Sequence, residues 1–194
     1  KTILSSTVKN KIISLLLKAL IISLFSIHSH SSEQNWKPAQ EGNKIILIRH
    51  SLAPGGGDPA GFKINDCKTQ RNLNRVGIKQ SKKIGKLFKK NKVLIDQVLS
   101  SQWCRCKDTA QYAFGDYKEF TALNSTFQSP YDKNETKQLK ELYSFVKKWD
   151  GKGKNLVLVT HYSIITAITN AVPSSGEIVI TDKNFKVIST VTTD

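Results

Sequence analysis

Acidic side chains are scarce in this protein: 15 Asp and Glu stand against 30 Lys and Arg, a formal net charge of +15 over 194 residues. Such a balance fits either a Lys-rich solvated surface or attraction to anionic substrates and surfaces. Other absences narrow the choice. The chain has no stripe of Arg interleaved with aromatics, no nucleic-acid reader motif and no zinc-finger spacing, so nucleic acid is not the expected partner. It also has no Walker loop, EF-hand or dinucleotide fingerprint, which removes the commonest nucleotide and calcium sites. Cysteine is limited to Cys67, Cys104 and Cys106, and their spacing is not that of a zinc site, so no metal is expected. Cys104 and Cys106 are too close for an easy bridge to each other. Cys67 with Cys104 or Cys106 is the expected disulfide, and the odd count leaves one thiol over.

No acid occurs before Glu33, and Lys1, Lys9, Lys11 and Lys18 are the only charges in residues 1–31. An apolar core from Ala19 to Ile27 and the small residues Ser29 and Ser31 complete a basic, apolar, small order, which reads as a secretory signal peptide. The alternative is an uncleaved membrane anchor, although Ile12 to Ile27 is short for a span and holds Lys18. An exported protein, periplasmic or secreted, is therefore expected, with membrane contact only through that segment if it is retained. Residues 32–43 read as a polar leader, and 44–194 as one domain large enough to bury a core.

Lys44 begins a run, Ile45 to Ile48, that leads into Arg49, His50 and a loop of Pro and Gly from Ala53 to Gly61. A short apolar run so bounded reads as a buried parallel strand. The second such unit is Leu156 to Thr160, ending in His161. Between them lie a helix capped by Asn74, with Val76, Ile84, Leu87 and Phe88 on its buried face, and a strand over 93–99. A helix beginning near Ser101, with Trp103, Cys104 and Arg105 in its first turn, follows, and then a third strand over 118–123. The next helix carries the stripe Leu139, Leu142, Tyr143, Val146, Trp149, preceded by Asp132 and Glu135 as a capping box. Gly77 and Gly85 are spaced to let the Asn74 helix lie close on the sheet. A short helix after His161 and a hairpin of 177–181 with 186–193 end the chain. This alternation predicts an α/β domain of three layers, a mostly parallel sheet flanked by helices.

Ligands collect at the carboxyl ends of parallel strands. Arg49, His50, Arg105 and His161 are expected there, with helix N-termini and a glycine loop able to turn N–H groups toward an anion. Two guanidiniums and two imidazoles suit a compact dianion, and phosphate fits best. A neutral imidazole can attack phosphorus, so the set points to phosphoryl transfer through a phosphohistidine.

Four blocks, in order, carry a resemblance. Ile48-Arg49-His50-Ser51 resembles the R-H-G signature of the histidine phosphatase superfamily, which includes phosphoglycerate mutases and many acid phosphatases. Arg71-Asn72-Leu73-Asn74-Arg75-Val76-Gly77 resembles its L-T-x-x-G helix start. Ser100 to Ala110 resembles its S-x-x-x-R-x-x-x-T-A block, and Val159-Thr160-His161-Tyr162 its T-H-G block. The resemblance implies that His50 is the nucleophile, that Arg49, Arg105 and His161 hold the phosphoryl oxygens, and that no cofactor is needed. His50 would attack through one ring nitrogen while the other donates to a backbone carbonyl.

Ser51 and Tyr162 replace the family's glycines, and Cys106 stands where a small residue is common. Ser51 could add a hydroxyl to the phosphate ligands. Many relatives supply a proton donor as a Glu after the S-x-x-x-R helix or an Asp beside T-H. Here Ala122 to Phe127 has no carboxylate and Tyr162 takes the second place. Asp58 in the glycine loop is the candidate acid, ahead of Glu177 and Asp66; an enzyme without a donor, limited to good leaving groups, is the other option. The expected function is a phosphomonoester hydrolase acting on an exported or envelope phosphosugar-type substrate. The alternative is a phosphate-binding module of the same fold. Oligomeric state is not legible.

Overall fold

The computed structural model describes residues 34–193, of which those from Trp36 onward form one compact unit. The expected signal segment lies outside the described residues. Four apolar residues in a row form β1 (Ile45–Arg49), each of them fully buried. Side chains alternate faces along a strand, and both faces here are covered. Ile45 and Leu47 pack with Leu142, Val146, Ile164 and Ile165 on one side. Ile46 and Ile48 pack with Ile84, Phe88, Trp103 and Ala110 on the other. A continuous apolar strand is the consequence of burial on both faces.

The sheet has six strands in the order β3-β2-β4-β1-β5-β6. β2 (Ile95–Ser100), β3 (Lys118–Glu119) and β4 (Asn155–Thr160) join β1 in a parallel block. β5 (Ile178–Thr181) and β6 (Val187–Val191) add the antiparallel hairpin at one edge. Helices α1 (Arg75–Lys90) and α2 (Cys104–Phe114) cover one face. Helices α3 (Glu135–Lys148) and α4 (Tyr162–Thr169) cover the other, which completes the expected three layers. Among the described residues no helix is long and apolar enough to cross a membrane.

Asn74 caps α1 as its type predicts, its side-chain oxygen accepting the Gly77 N–H at 2.8 Å. Gly77 and Gly85 do permit close approach, but not to the sheet. A Cβ at Gly77 would stand 2.1 Å from the Leu52 carbonyl oxygen, and one at Gly85 would stand 2.1 Å from that of Ala113 in α2. The glycines therefore seat α1 against the loop after β1 and against its neighbouring helix.

Several local expectations change. Residues 36–41, within the stretch read as a polar leader, are helical, and Trp36 and Ala39 are buried. Two apolar residues three apart make a helical stripe, and the Trp36 ring packs edge-on against Phe88 at 5.3 Å. The compact unit thus begins before Lys44. The third strand is limited to Lys118–Glu119, and 121–123 turn into a 3-10 helix. Trp103, not Ser101, is the α2 cap position, although the Ser101 hydroxyl oxygen accepts the Trp103 N–H at 3.3 Å. The expected capping box does not form: Asp132 lies in a 3-10 turn and the Glu135 carboxylate accepts from the Thr126 hydroxyl. Val76 and Tyr143, both placed on buried faces, are 58% and 44% exposed.

Cys67 and Cys104 form a disulfide that closes a loop of sequence separation 37, and Cys106 is a buried free thiol. Its reduction is expected to cost about 2–4 kcal/mol, which for a chain of this size lowers the melting temperature by roughly 5–15 °C. Melting curves with and without dithiothreitol check this; an unchanged midpoint would sink it.

Candidate functional site

Three parallel strands end at one edge of the sheet and bring their last residues together. The His50 N–H donates to the Thr160 carbonyl at 2.9 Å, and the Ser101 N–H to that of Val159 at 3.0 Å. Register does the rest, since Arg49 pairs with Thr160 and Ser100 with Val159. His50 and His161 thereby face each other, their ring centroids 5.5 Å apart. They open into a cavity of about 120 Å³, whose cationic lining is Arg49, Arg71 and Arg105.

Hydrogen bonds fix the state of each imidazole. His50 Nδ1 lies 2.8 Å from the Ser51 carbonyl oxygen, which only accepts, so Nδ1 carries the proton. Nε2 is left as the acceptor and receives the Arg105 Nε–H at 3.2 Å. Burial first, and then the Arg105 charge, hold His50 well below its ordinary pKa, so the ring is neutral. His161 is lowered well below its ordinary value by the same two causes in the same order. Its Nδ1 faces the Arg105 guanidinium at a long 3.5 Å. Its Nε2 bonds the Ser101 hydroxyl at 2.9 Å, which in turn donates to Asn124 Oδ1 at 3.2 Å.

Arg105 is the hub. Its side chain is 3% exposed and pairs with Asp58, itself 2% exposed, through Nη1 to Oδ1 at 2.8 Å and to Oδ2 at 3.1 Å. Asp58 also accepts the Trp103 indole N–H at 2.9 Å and the Arg71 backbone N–H at 3.0 Å. Burial raises the Asp58 pKa, but the hydrogen bond and charge of Arg105 and these two donors outweigh it, and the net direction is down.

Arg71 donates through Nε to the Gly57 carbonyl at 2.6 Å and through Nη1 to the Ala53 carbonyl, so it ties down the start and the middle of the glycine loop. Arg49 donates to the Pro173 carbonyl at 2.8 Å and stacks 5.6 Å from the centroid of the Tyr162 ring. Its buried Nε has no hydrogen-bond partner. A buried donor without an acceptor is uncommon, and this one belongs to a residue that lines the cavity.

The structure brings together Arg49, His50, Arg105 and His161, with Tyr162 beside them in the lining. Ser51 is not part of that lining: it is fully buried and its hydroxyl accepts from Ser81 at 2.8 Å. Asp58 sits behind Arg105 and is likewise outside the lining. Glu177 accepts from the Ser174 N–H and Asp66 from the Lys68 N–H, and neither is part of the lining. No carboxylate lines it among the described residues. Cys106 lies 3.4 Å from His161 Nε2, but burial pushes its thiol up to about 12, so it stays neutral. Sequence reasoning missed Arg71, Phe127 and Gln128 in the lining. Arg71 stands first in the helix-start block, and a cation directly before a capped helix and after a glycine loop is the signal that marks it.

No family model matches the sequence, and no curated protein does either. Solved structures do match. The protein histidine phosphatase SixA, crystallised with tungstate, aligns at a TM-score of 0.52 and 14% identity over 76% of this chain and 95% of that one. A candidate phosphohistidine phosphatase SixA from Agrobacterium tumefaciens aligns at 0.55 and 18% identity over 77% and 97%. A candidate alpha-ribazole-5'-P phosphatase from Escherichia coli aligns at 0.52 and 14% identity over 76% and 95%. This chain has the histidine phosphatase fold.

Proposed function

We propose that this protein hydrolyses phosphomonoesters through a phosphohistidine on His50. The observation that carries the reading is the pair of neutral imidazoles facing one cavity, with His50 Nδ1 protonated and the Nε2 lone pair directed at the Arg105 Nε–H. Charge supports it. Arg49, Arg71 and Arg105 contribute three positive charges and Asp58 removes one, which leaves two to meet a phosphate dianion. Tungstate, held by one protein of this fold, is a tetrahedral dianion of the same kind.

In the first step the Nε2 lone pair forms the bond to phosphorus and the bond to the leaving group breaks. Arg105 would shift its Nε–H from Nε2 to a phosphoryl oxygen, with the unpartnered Arg49 Nε and Arg71 on the others. Water then attacks the phosphohistidine: its oxygen bonds phosphorus as the P–Nε2 bond breaks, Nε2 regains its lone pair, and the proton lost by the water leaves with the phosphate. In this reading Asp58 orients Arg105 and does not donate the proton, because a carboxylate held below its ordinary range is a poor acid.

With no carboxyl group in the lining, departure must rest on the leaving group itself. General acid catalysis contributes about 10²–10⁴-fold where it operates. kcat/KM for an aryl phosphate is therefore expected to exceed that for a simple alkyl phosphate by about that factor. Comparable values for the two esters would sink the donor-free mechanism. Saturable phosphate binding with release from neither ester would favour the alternative, a binding module. The finer expectation of an exported substrate draws support from the disulfide, which suits an oxidising compartment. A phosphosugar joined through an ordinary alcohol would be the harder substrate for such a site.

A further inference from the structure

Between Asp66 and Asp96 the chain holds no acidic residue. Within that span α1 carries Arg75, Lys79, Lys82, Lys83, Lys86, Lys89 and Lys90, all exposed. At 3.6 residues per turn these positions fall within an arc of about 120°, and sixteen residues extend it to roughly 24 Å. The opposite arc, with Gly77, Ser81, Ile84, Gly85 and Phe88, is the buried one. Core packing alone would require only that the outer face be polar; a mixture of signs would serve. Here one sign fills the whole face.

A second feature adjoins the stripe. An open groove of about 600 Å³, mostly apolar, is lined by Leu52, Val76, Lys79, Gln80, Lys83, Ser174, Ser175 and Thr193. Its walls are held in place. Gln80 accepts the Leu52 N–H at 3.0 Å and donates to the Ser175 carbonyl at 2.8 Å and the Thr193 hydroxyl at 3.1 Å. Val76, on its edge, is 58% exposed. Cations beside an apolar slot suit a ligand that is anionic at one end and apolar at the other.

We infer that α1 and this groove form a docking face for an anionic lipid bilayer. The cations line the outer face of one helix along its length, an arrangement suited to an extended charged surface. It is built of Lys with one Arg, and although Lys82 lies 5.6 Å from the centroid of the exposed Tyr112 ring, one such ring is not the platform of several aromatics on which successive bases stack. A second copy of the same chain would meet it with like charge. The contact is independent of residues 1–31, whose apolar segment would bind any bilayer by another mechanism.

The test uses the full chain with phosphatidylcholine vesicles, with and without phosphatidylglycerol, in low and high salt. Binding is expected to be stronger with the anionic lipid, and that increment over neutral vesicles is expected to fall as salt rises. Each charge near such a surface contributes about fivefold in partitioning, so Lys79→Gln, Lys86→Gln, Lys89→Gln and Lys90→Gln together should reduce the anionic-lipid increment, up to on the order of several hundredfold. Val76→Asn should weaken vesicle binding several-fold and leave any binding of duplex DNA unchanged. Circular dichroism and phosphate release verify that each variant is folded. Equal binding to neutral and anionic vesicles overturns the proposal, as does binding that the four substitutions leave unchanged. Duplex DNA bound more tightly than vesicles, with the same dependence on the lysines, overturns it too and makes the face a nucleic-acid surface.

Discussion

Replacing His50 with Ala is expected to abolish phosphate release from an aryl ester, a loss of at least about 10³-fold in kcat, as deletion of a catalytic nucleophile typically causes. Cys106 cannot substitute, being a neutral buried thiol, and His161 has its Nε2 engaged with Ser101 while its Nδ1 faces the Arg105 guanidinium. Phosphate binding should survive, because the three arginines remain. Turnover by His50→Ala at the wild-type rate would remove the phosphohistidine reading altogether. The pH profile carries the same idea. Burial and Arg105 keep His50 neutral well below the ordinary value of 6.5, so the nucleophile stays competent in mild acid. The acid limb of kcat/KM should instead follow the second ionisation of the substrate phosphate, near pH 6.

Stability has its own sign. Both imidazoles have folded pKa values below their unfolded ones. Between those values the unfolded chain binds more protons, so protonation favours unfolding. Their contribution is complete above about pH 6.5 and is lost as pH falls below it. Denaturant midpoints measured from neutral to mildly acidic pH should therefore decline, and His161→Gln should flatten part of the slope.

How much of this was legible follows from the range of each interaction. Strand ends with Arg49, His50, Thr160 and His161 were readable because burial on both faces leaves a continuous apolar run, and parallel strands collect their ends. Arg105 was readable from its place at a helix start. Its partner was not. Asp58 looks like an isolated acid in a flexible glycine loop, and only the fold shows the buried guanidinium 2.8 Å away. Ser51 failed for a related reason: position beside His50 says nothing about the side to which its hydroxyl turns, and Ser81, thirty residues on, takes it. Trp36 and Ala39 were hidden by polar neighbours, although two apolar residues three apart are the smallest helical stripe. Val76 erred the other way, because periodicity cannot tell the rim of a face from its centre.

Asp58→Asn is the substitution that separates the two roles an acid can have here. If Asp58 were the proton donor, its loss would cripple esters of poor leaving groups and spare aryl esters, which need no proton. If it positions Arg105, both classes should fall together, by about 10–100-fold in kcat, since misplacing one oxyanion ligand acts before the leaving group matters. The geometry supports the second outcome. Both Asp58 oxygens face Nη1 of Arg105, and the Trp103 and Arg71 N–H groups occupy the remaining acceptor positions, so no proton-bearing oxygen is aimed at the cavity. Removing the charge also leaves Arg105 buried without its counterion, which is expected to cost about 3–5 kcal/mol of stability. The measurement is the ratio of aryl to alkyl kcat/KM in wild type and variant, at a temperature where both are folded. An unchanged ratio with lower rates identifies the arginine holder. A ratio that rises sharply, through collapse of the alkyl rate alone, would return Asp58 to the role of acid.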